Sequence, residues 1–99
     1  MLPTQERLQE LFRYNPKTGQ LIRKVTRGRS AAGAVVGDGV RNNGYLKVKV
    51  DEHRLNVHNV IWALLHGYWP YMLRHIDGNV ANNQLCNLKY TAHSSQENN

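Results

Sequence analysis

Apolar and polar positions alternate with three different rhythms along this chain. Leu8, Leu11 and Phe12 recur at helical spacing behind Thr4, whose hydroxyl suits a helix N-cap. The run Asn15-Pro-Lys-Thr-Gly19 then breaks the pattern and predicts a turn, because proline fixes φ and glycine tolerates positive φ. Gln20 to Val25 (QLIRKV) reads as a strand. Thr26 to Gly44 is rich in glycine and small residues, so it predicts loop with a short strand near Val35 and Val36.

The second rhythm has a period of two. In Tyr45 to Val50, Tyr45, Lys47 and Lys49 fall on one face and Leu46, Val48 and Val50 on the other. Asp51 and Glu52 turn the chain, and His53 to Val57 returns as a hairpin partner. From Asn56 to His66 the period changes again: Val57, Val60, Ile61, Leu64 and Leu65 predict a helix with Asn56 as N-cap and Gly67 as C-cap. Tyr68 to Met72 is an aromatic connector. The two tryptophans, Trp62 and Trp69, are expected in the core, since a small domain needs its large aromatics inside.

The last stretch, LRHIDGNVANNQLCNLKYT (Leu73 to Thr91), has no long apolar run. A short apolar element ends in His75. A tight turn follows at Asp77, Gly78 and Asn79, the loop runs through Asn82 and Asn83, and extended structure resumes at Asn87. A loop so poor in apolar side chains must be held by bonds from side chain to backbone, and asparagine both donates and accepts. Cys86 is expected to be a small buried hydrophobe. These elements predict an α+β protein with one domain over residues 1–99. Residues 1–56 form a basic antiparallel sheet segment with a helix, and residues 57–99 form a helix plus the histidine-bearing motif.

Charge adds a partner. The chain has 13 Lys and Arg against 7 Asp and Glu, a net charge of +6. Nine of the cations and one acid, Asp38, lie between Arg13 and Lys49. Lys47 and Lys49 stand about 7 Å apart on one strand face, close to the spacing of phosphates. Arg23, Lys24, Arg27, Arg29, Lys47, Lys49, Arg74 and Lys89 are therefore candidate DNA-backbone contacts. One cysteine excludes an internal disulfide and a multi-cysteine zinc site, and it suits a reducing, cytoplasmic compartment. No apolar run approaches the ~20 residues of a membrane span, the N-terminus carries no signal-peptide core, and the glycines form no phosphate-binding loop.

The segments VHNVIWALLHGYWP, RHIDGN, NN, NL and the closing QENN together resemble the HNH endonucleases of phages, in the homing-endonuclease branch. The upstream LFRYNPKTGQLIRK and GYLKVKVDEHRLNVH resemble the region that precedes the motif in those proteins. The resemblance implies a ββα-metal fold, two strands and a helix around one divalent ion, Mg²⁺ or Mn²⁺, with no zinc. It implies that His75 is the general base and that Asn87 holds the loop and orients the histidine strand. Asp77, Gly78, Asn79, Asn82 and Asn83 would shape the loop.

This chain departs from the family at the metal ligands. The family usually places Asp before the histidine, where Arg74 stands; a guanidinium cannot ligate a cation. The second ligand would come from Gln96, Glu97 or Asn98, of which Glu97 is the donor best suited to Mg²⁺. Asn59 stands where the family usually carries Arg after a histidine, here His58. The chain ends at Asn99, where the final helix would only be starting. These changes predict a degenerate or weakly active metal-dependent DNA endonuclease that binds the phosphate backbone. Two other readings fit the resemblance: a fully active nickase, and a non-catalytic phage inhibitor of a host defence nucleoprotein complex.

Overall fold

The structure is a computed structural model that describes residues 2–26, 28, 31–36 and 45–91. Arg27 and Arg29 lie outside the described residues, as do Gln96, Glu97 and Asn98. The order of elements is α1 (Gln5–Leu11), β1 (Phe12–Asn15), β2 (Gln20–Arg23), β3 (Lys47–Val50), β4 (His53–Asn56), α2 (Val57–His66), β5 (Met72–His75), a 3₁₀ turn (Leu85–Asn87) and β6 (Leu88–Thr91). The strands pair as three antiparallel hairpins, β1–β2, β3–β4 and β5–β6.

Thr4 caps α1 by accepting from the Arg7 N–H at 3.1 Å. The helix stops one residue earlier than its apolar spacing predicts. Phe12 is extended, with φ −139°, and opens β1 opposite Arg23. Pro16 explains the switch: it biases Asn15 toward extended backbone, and the Pro-Lys-Thr-Gly loop then closes a hairpin in which Phe12 to Asn15 gain a ladder partner. The expected strand near Val35 reduces to a single bridge between Ile22 and Val35.

In β3–β4 the period-two pattern places Val48 and Val50 inside and Lys49 outside, with Lys47 half-buried. Asp51 (φ 47°) and Glu52 (φ 72°) make a two-residue turn without glycine. Arg7 holds that turn through bonds of 2.9 and 3.0 Å to both oxygens of Asp51. Helix α2 spans Val57 to His66 and ends at Gly67, whose φ of +88° satisfies the C-terminal carbonyls. Asn56 occupies the N-cap position, but its side chain makes no capping bond.

One apolar cluster joins α1, α2 and the first two hairpins: Leu8, Leu11, Phe12, Leu21, Val36, Val48, Val50, Val57, Val60, Ile61, Ala63 and Leu64. Leu73 and Leu88 of the third hairpin are buried but stand outside this cluster. The tryptophans are not core residues. Trp69 packs partly buried against the cluster and donates to the Pro3 carbonyl at 2.9 Å. Trp62 is half-buried, stacked between His66 and Tyr90 at 4.1 and 5.7 Å. Its place in the helical repeat turns it toward the third hairpin instead of the apolar cluster. Cys86 is exposed, because the 3₁₀ turn directs Asn87 inward and Leu85 and Cys86 outward.

The first hairpin meets the loop of the third at Gly19. Its φ is +76°, and an added Cβ would fall 2.5 Å from the Gln84 nitrogen and 2.8 Å from the Asn83 carbonyl carbon. Gly28 has φ +57° but open space around it. Gly19→Ala therefore carries both left-handed strain and a backbone collision, about 2–5 kcal/mol, whereas Gly28→Ala carries the strain alone, about 1–2 kcal/mol. Denaturant unfolding of the two variants measures this difference; equal losses would show that Gly19 does not seat the loop.

Candidate functional site

The candidate site begins where β5 ends. His75 is opposite Leu88 in the ladder, and Leu73 is opposite Tyr90, so these four residues share the inner face of the hairpin. Arg74 and Lys89 are opposite each other on the outer face, both exposed. Directly paired like charges are destabilising unless something anionic lies across them. Lys49 and Arg54 repeat this arrangement in β3–β4.

Beyond His75 the chain turns at Gly78, whose φ is +79°. The asparagines then fasten the loop to itself. Asp77 Oδ1 accepts from the Asn79 N–H at 2.7 Å, Asn79 Oδ1 accepts from the Ala81 N–H at 3.0 Å, and Asn82 Nδ2 donates to Asp77 Oδ2 at 2.9 Å. Asn87 is buried at the centre. Its Nδ2 donates to Asp77 Oδ1 and to the Asn82 carbonyl, both at 2.9 Å, and its Oδ1 accepts from the Asp77 N–H at 2.9 Å. Asn87 ends the 3₁₀ turn, and β6 starts at Leu88, one residue later than the pattern suggests. The Asn87 backbone is used by the turn, donating to the Gln84 carbonyl, and by the loop, accepting from the Ile76 N–H, each at 2.8 Å.

Asn83, 2% exposed, presents its Oδ1 to His75 Nε2 at 2.8 Å. An amide oxygen facing a ring nitrogen requires that nitrogen to carry hydrogen, which in the neutral ring leaves Nδ1 with the lone pair. The His58 ring packs against His75 with centroids 4.9 Å apart and planes at 81°, and Tyr45 stands 5.4 Å from His58 and 6.0 Å from His75. Burial first, then the nearby His75 and Lys47, push His58 down to about 4, so it is neutral at physiological pH. Its Nδ1 and the Asn56 Oδ1 are buried with no hydrogen-bond partner. Tyr45, Asn56, His58 and His75 line an open cleft of about 500 Å³, together with Asn59, Tyr71, Met72, Arg74 and Gly78.

Among the described residues, the other candidate cations do not line this cleft, though Lys47 acts on His58. Arg23 and Lys49 line a second cleft that also contains Asp51 and Glu52. The Arg23 guanidinium lies 5.8 Å from the Phe12 ring centre. Lys24 donates to the Gln9 carbonyl at 2.6 Å.

Residues 56–98 match the family described as HNH endonuclease. This part of the chain is similar to that family. The HNH homing endonuclease I-HmuI, described as binding and cleaving DNA, shares the fold with a TM-score of 0.58 and 18% identity, over 89% of this chain and 50% of that one. The chain thus spans half the length of that endonuclease. No curated protein matches.

A divalent ion beside His75 would need hard oxygen donors. No described carboxylate lines the His75 cleft. Asp77 already spends both oxygens on the loop. Among the described residues no three His, Cys, Asp or Glu side chains gather in metal-binding range. The described residues therefore do not fit an Mg²⁺ site, and Arg74 at the cleft repels one.

Two residues carry more of the site than their sequence positions advertise. His58 falls on the apolar face of α2, a signal that such a histidine is buried. Tyr14 reaches the loop from 69 residues away: its hydroxyl donates to the Asn83 carbonyl at 2.9 Å and accepts from the Leu85 N–H at 3.0 Å. No local pattern marks that contact.

Asn87→Ala removes three side-chain bonds from a buried loop and is expected to cost about 1–3 kcal/mol, read as a fall in melting temperature. Acid should act in two windows. His58 has a folded pKa below its unfolded value of 6.5, so its contribution is complete above that value and lost as pH falls toward about 4. Asp77 is held below the ordinary carboxylate range, first by the Asn82 amide and then by the Asn79 N–H, so its contribution is lost only at still lower pH. Stability measured from pH 7 to 3 checks both: His58→Gln should flatten the upper window and Asp77→Asn the lower.

Proposed function

We propose that this chain is a degenerate HNH-type DNA-binding protein that holds a phosphate at its histidine cleft and cleaves it slowly or not at all. The observation that carries this reading is that Arg74 and His75 line one cleft to which no described carboxylate contributes. A guanidinium in that place offers a planar fork to phosphate oxygens. Lys89, opposite Arg74, and Lys47, beside His58, extend the positive field.

His75 retains the geometry of a general base. With Nε2–H committed to Asn83, Nδ1 is the nitrogen that takes a proton from an attacking water. Arg74 stabilises charge on the non-bridging oxygens. The leaving 3′ oxygen has no described acid or cation assigned to it. A general base alone supplies about 10²–10⁴-fold, far below the 10⁶–10¹⁷-fold typical of enzymes. The balance of binding against chemistry therefore favours binding.

An exposed aromatic and apolar surface, with Tyr68 at 49%, Tyr71 at 53% and Met72 at 52%, favours a second reading in which a host nucleoprotein complex is the partner. In that case Tyr68→Ala would weaken capture of the complex and leave binding to free DNA intact.

Two measurements test the main reading. DNA affinity should fall steeply with salt, with a slope reflecting about three to five phosphates, and Arg74→Ala and Lys89→Ala should each reduce the slope by about one. A flat salt dependence would remove these strands as the DNA site. In supercoiled-plasmid nicking with Mg²⁺ or Mn²⁺, the wild type should be weak or inactive, and Arg74→Asp should raise metal affinity. Robust wild-type nicking that disappears in His75→Ala would instead establish a working nuclease.

A further inference from the structure

We propose that Tyr14 is a positioning residue for His75, so that the β1–β2 hairpin is a working part of the histidine site. The proposal rests on His75 as the base, and it deepens that reading.

The third hairpin is held by something other than the main core. Its buried leucines, Leu73 and Leu88, lie outside the main apolar cluster, so packing against the rest of the core does not fix the loop. Polar docking on the first hairpin does. The Tyr14 ring packs against the core cluster, and its hydroxyl bridges the loop on both sides of Gln84, at the Asn83 carbonyl (2.9 Å) and the Leu85 N–H (3.0 Å). Gln84 Nε2 adds a bond of 2.9 Å to the Lys17 carbonyl. Gly19 lies so close below that a methyl group would meet the loop backbone.

Asn83 is thereby fixed through its own peptide. Its side chain leaves that peptide toward His75 and sets which ring nitrogen carries hydrogen. The Tyr14 hydroxyl must stay protonated to donate, and burial raises its pKa, against the weaker opposing effect of the Leu85 bond. The path runs from Tyr14 to the Asn83 carbonyl, from Asn83 Oδ1 to His75 Nε2, and so to the lone pair on Nδ1. Loss of the hydroxyl leaves an acceptor and a donor of the loop unpaired, and the loop must shift to satisfy them. A bond as short as 2.8 Å does not survive such a shift with its geometry intact.

The test reads the His75 tautomer by ¹⁵N NMR, in the absence of DNA and metal, so it needs no catalytic activity. In the wild type the Nε2–H tautomer should dominate by about tenfold, the equivalent of one net hydrogen bond. In Tyr14→Phe, which keeps the ring, the preference should fall below about threefold while the His58 and Trp62 signals stay native. Asn83→Asp keeps an acceptor, so it should retain the tautomer; in the double variant with Tyr14→Phe the preference should again fall. If Tyr14→Phe does not fold, Gln84→Ala, which removes only the bond to Lys17, should move the tautomer in the same direction by less. A tautomer unchanged in the folded Tyr14→Phe protein, or in Gln84→Ala where that variant serves instead, overturns the positioning role. A tautomer shift in a protein that never nicks DNA upholds it and separates it from the question of cleavage.

Discussion

The carboxamide of Asn87 is the interaction on which the histidine site depends. It donates twice and accepts once, joining the residue after the Ile76 bend to the far side of the loop. Asparagine is the side chain that can do this with one rigid planar group: aspartate lacks the donors, and glutamine's extra methylene would move both atoms outward. Because the bonds close on Asp77, they also fix where β5 must end. His75 is held at the lip of the cleft because the two residues after it are tied to a buried amide.

Polar fastening and apolar packing divide the molecule between them. The two helices and first two hairpins share one apolar cluster, whereas the third hairpin meets them through rings and hydrogen bonds. The division has an electrostatic consequence. A hairpin outside the core can keep Arg74 opposite Lys89, an arrangement that packing would not reward and that becomes favourable once an anion bridges them. His58 marks the boundary: it is buried enough to be neutral, yet it faces the cleft beside His75 and Lys47.

The elements with strong periodicity were legible in the residues. Helix α2 and the β3–β4 hairpin follow directly from their spacings of 3.6 and 2, because burial on one face leaves no other register for Val48, Val50, Val60 and Ile61. Phe12 was misread because it satisfies the helical repeat of Leu8 and also opens a strand; the hairpin closed by Pro16 to Gly19 decides the matter. Cys86 and Trp62 were misread for a different reason. Hydrophobicity alone says a residue prefers burial, but a turn that must send Asn87 inward sends Cys86 outward. The contact between Tyr14 and Asn83 was not legible at all, since it joins two polar groups across most of the chain and leaves no periodic trace.

On the reading proposed above, Arg74 redirects a site whose remaining parts are kept. In that reading the loop, the buried amide and the oriented imidazole place one lone pair against a phosphate. A carboxylate there would attract a divalent ion, which would in turn attract the phosphate. A guanidinium attracts the phosphate directly and repels the ion. The first would supply a divalent ion's charge to the reacting phosphate; the second would supply only the fixed charge that holds it. Holding the substrate and stabilising its transition state thus separate at this residue, and only interactions that strengthen in the transition state accelerate the reaction.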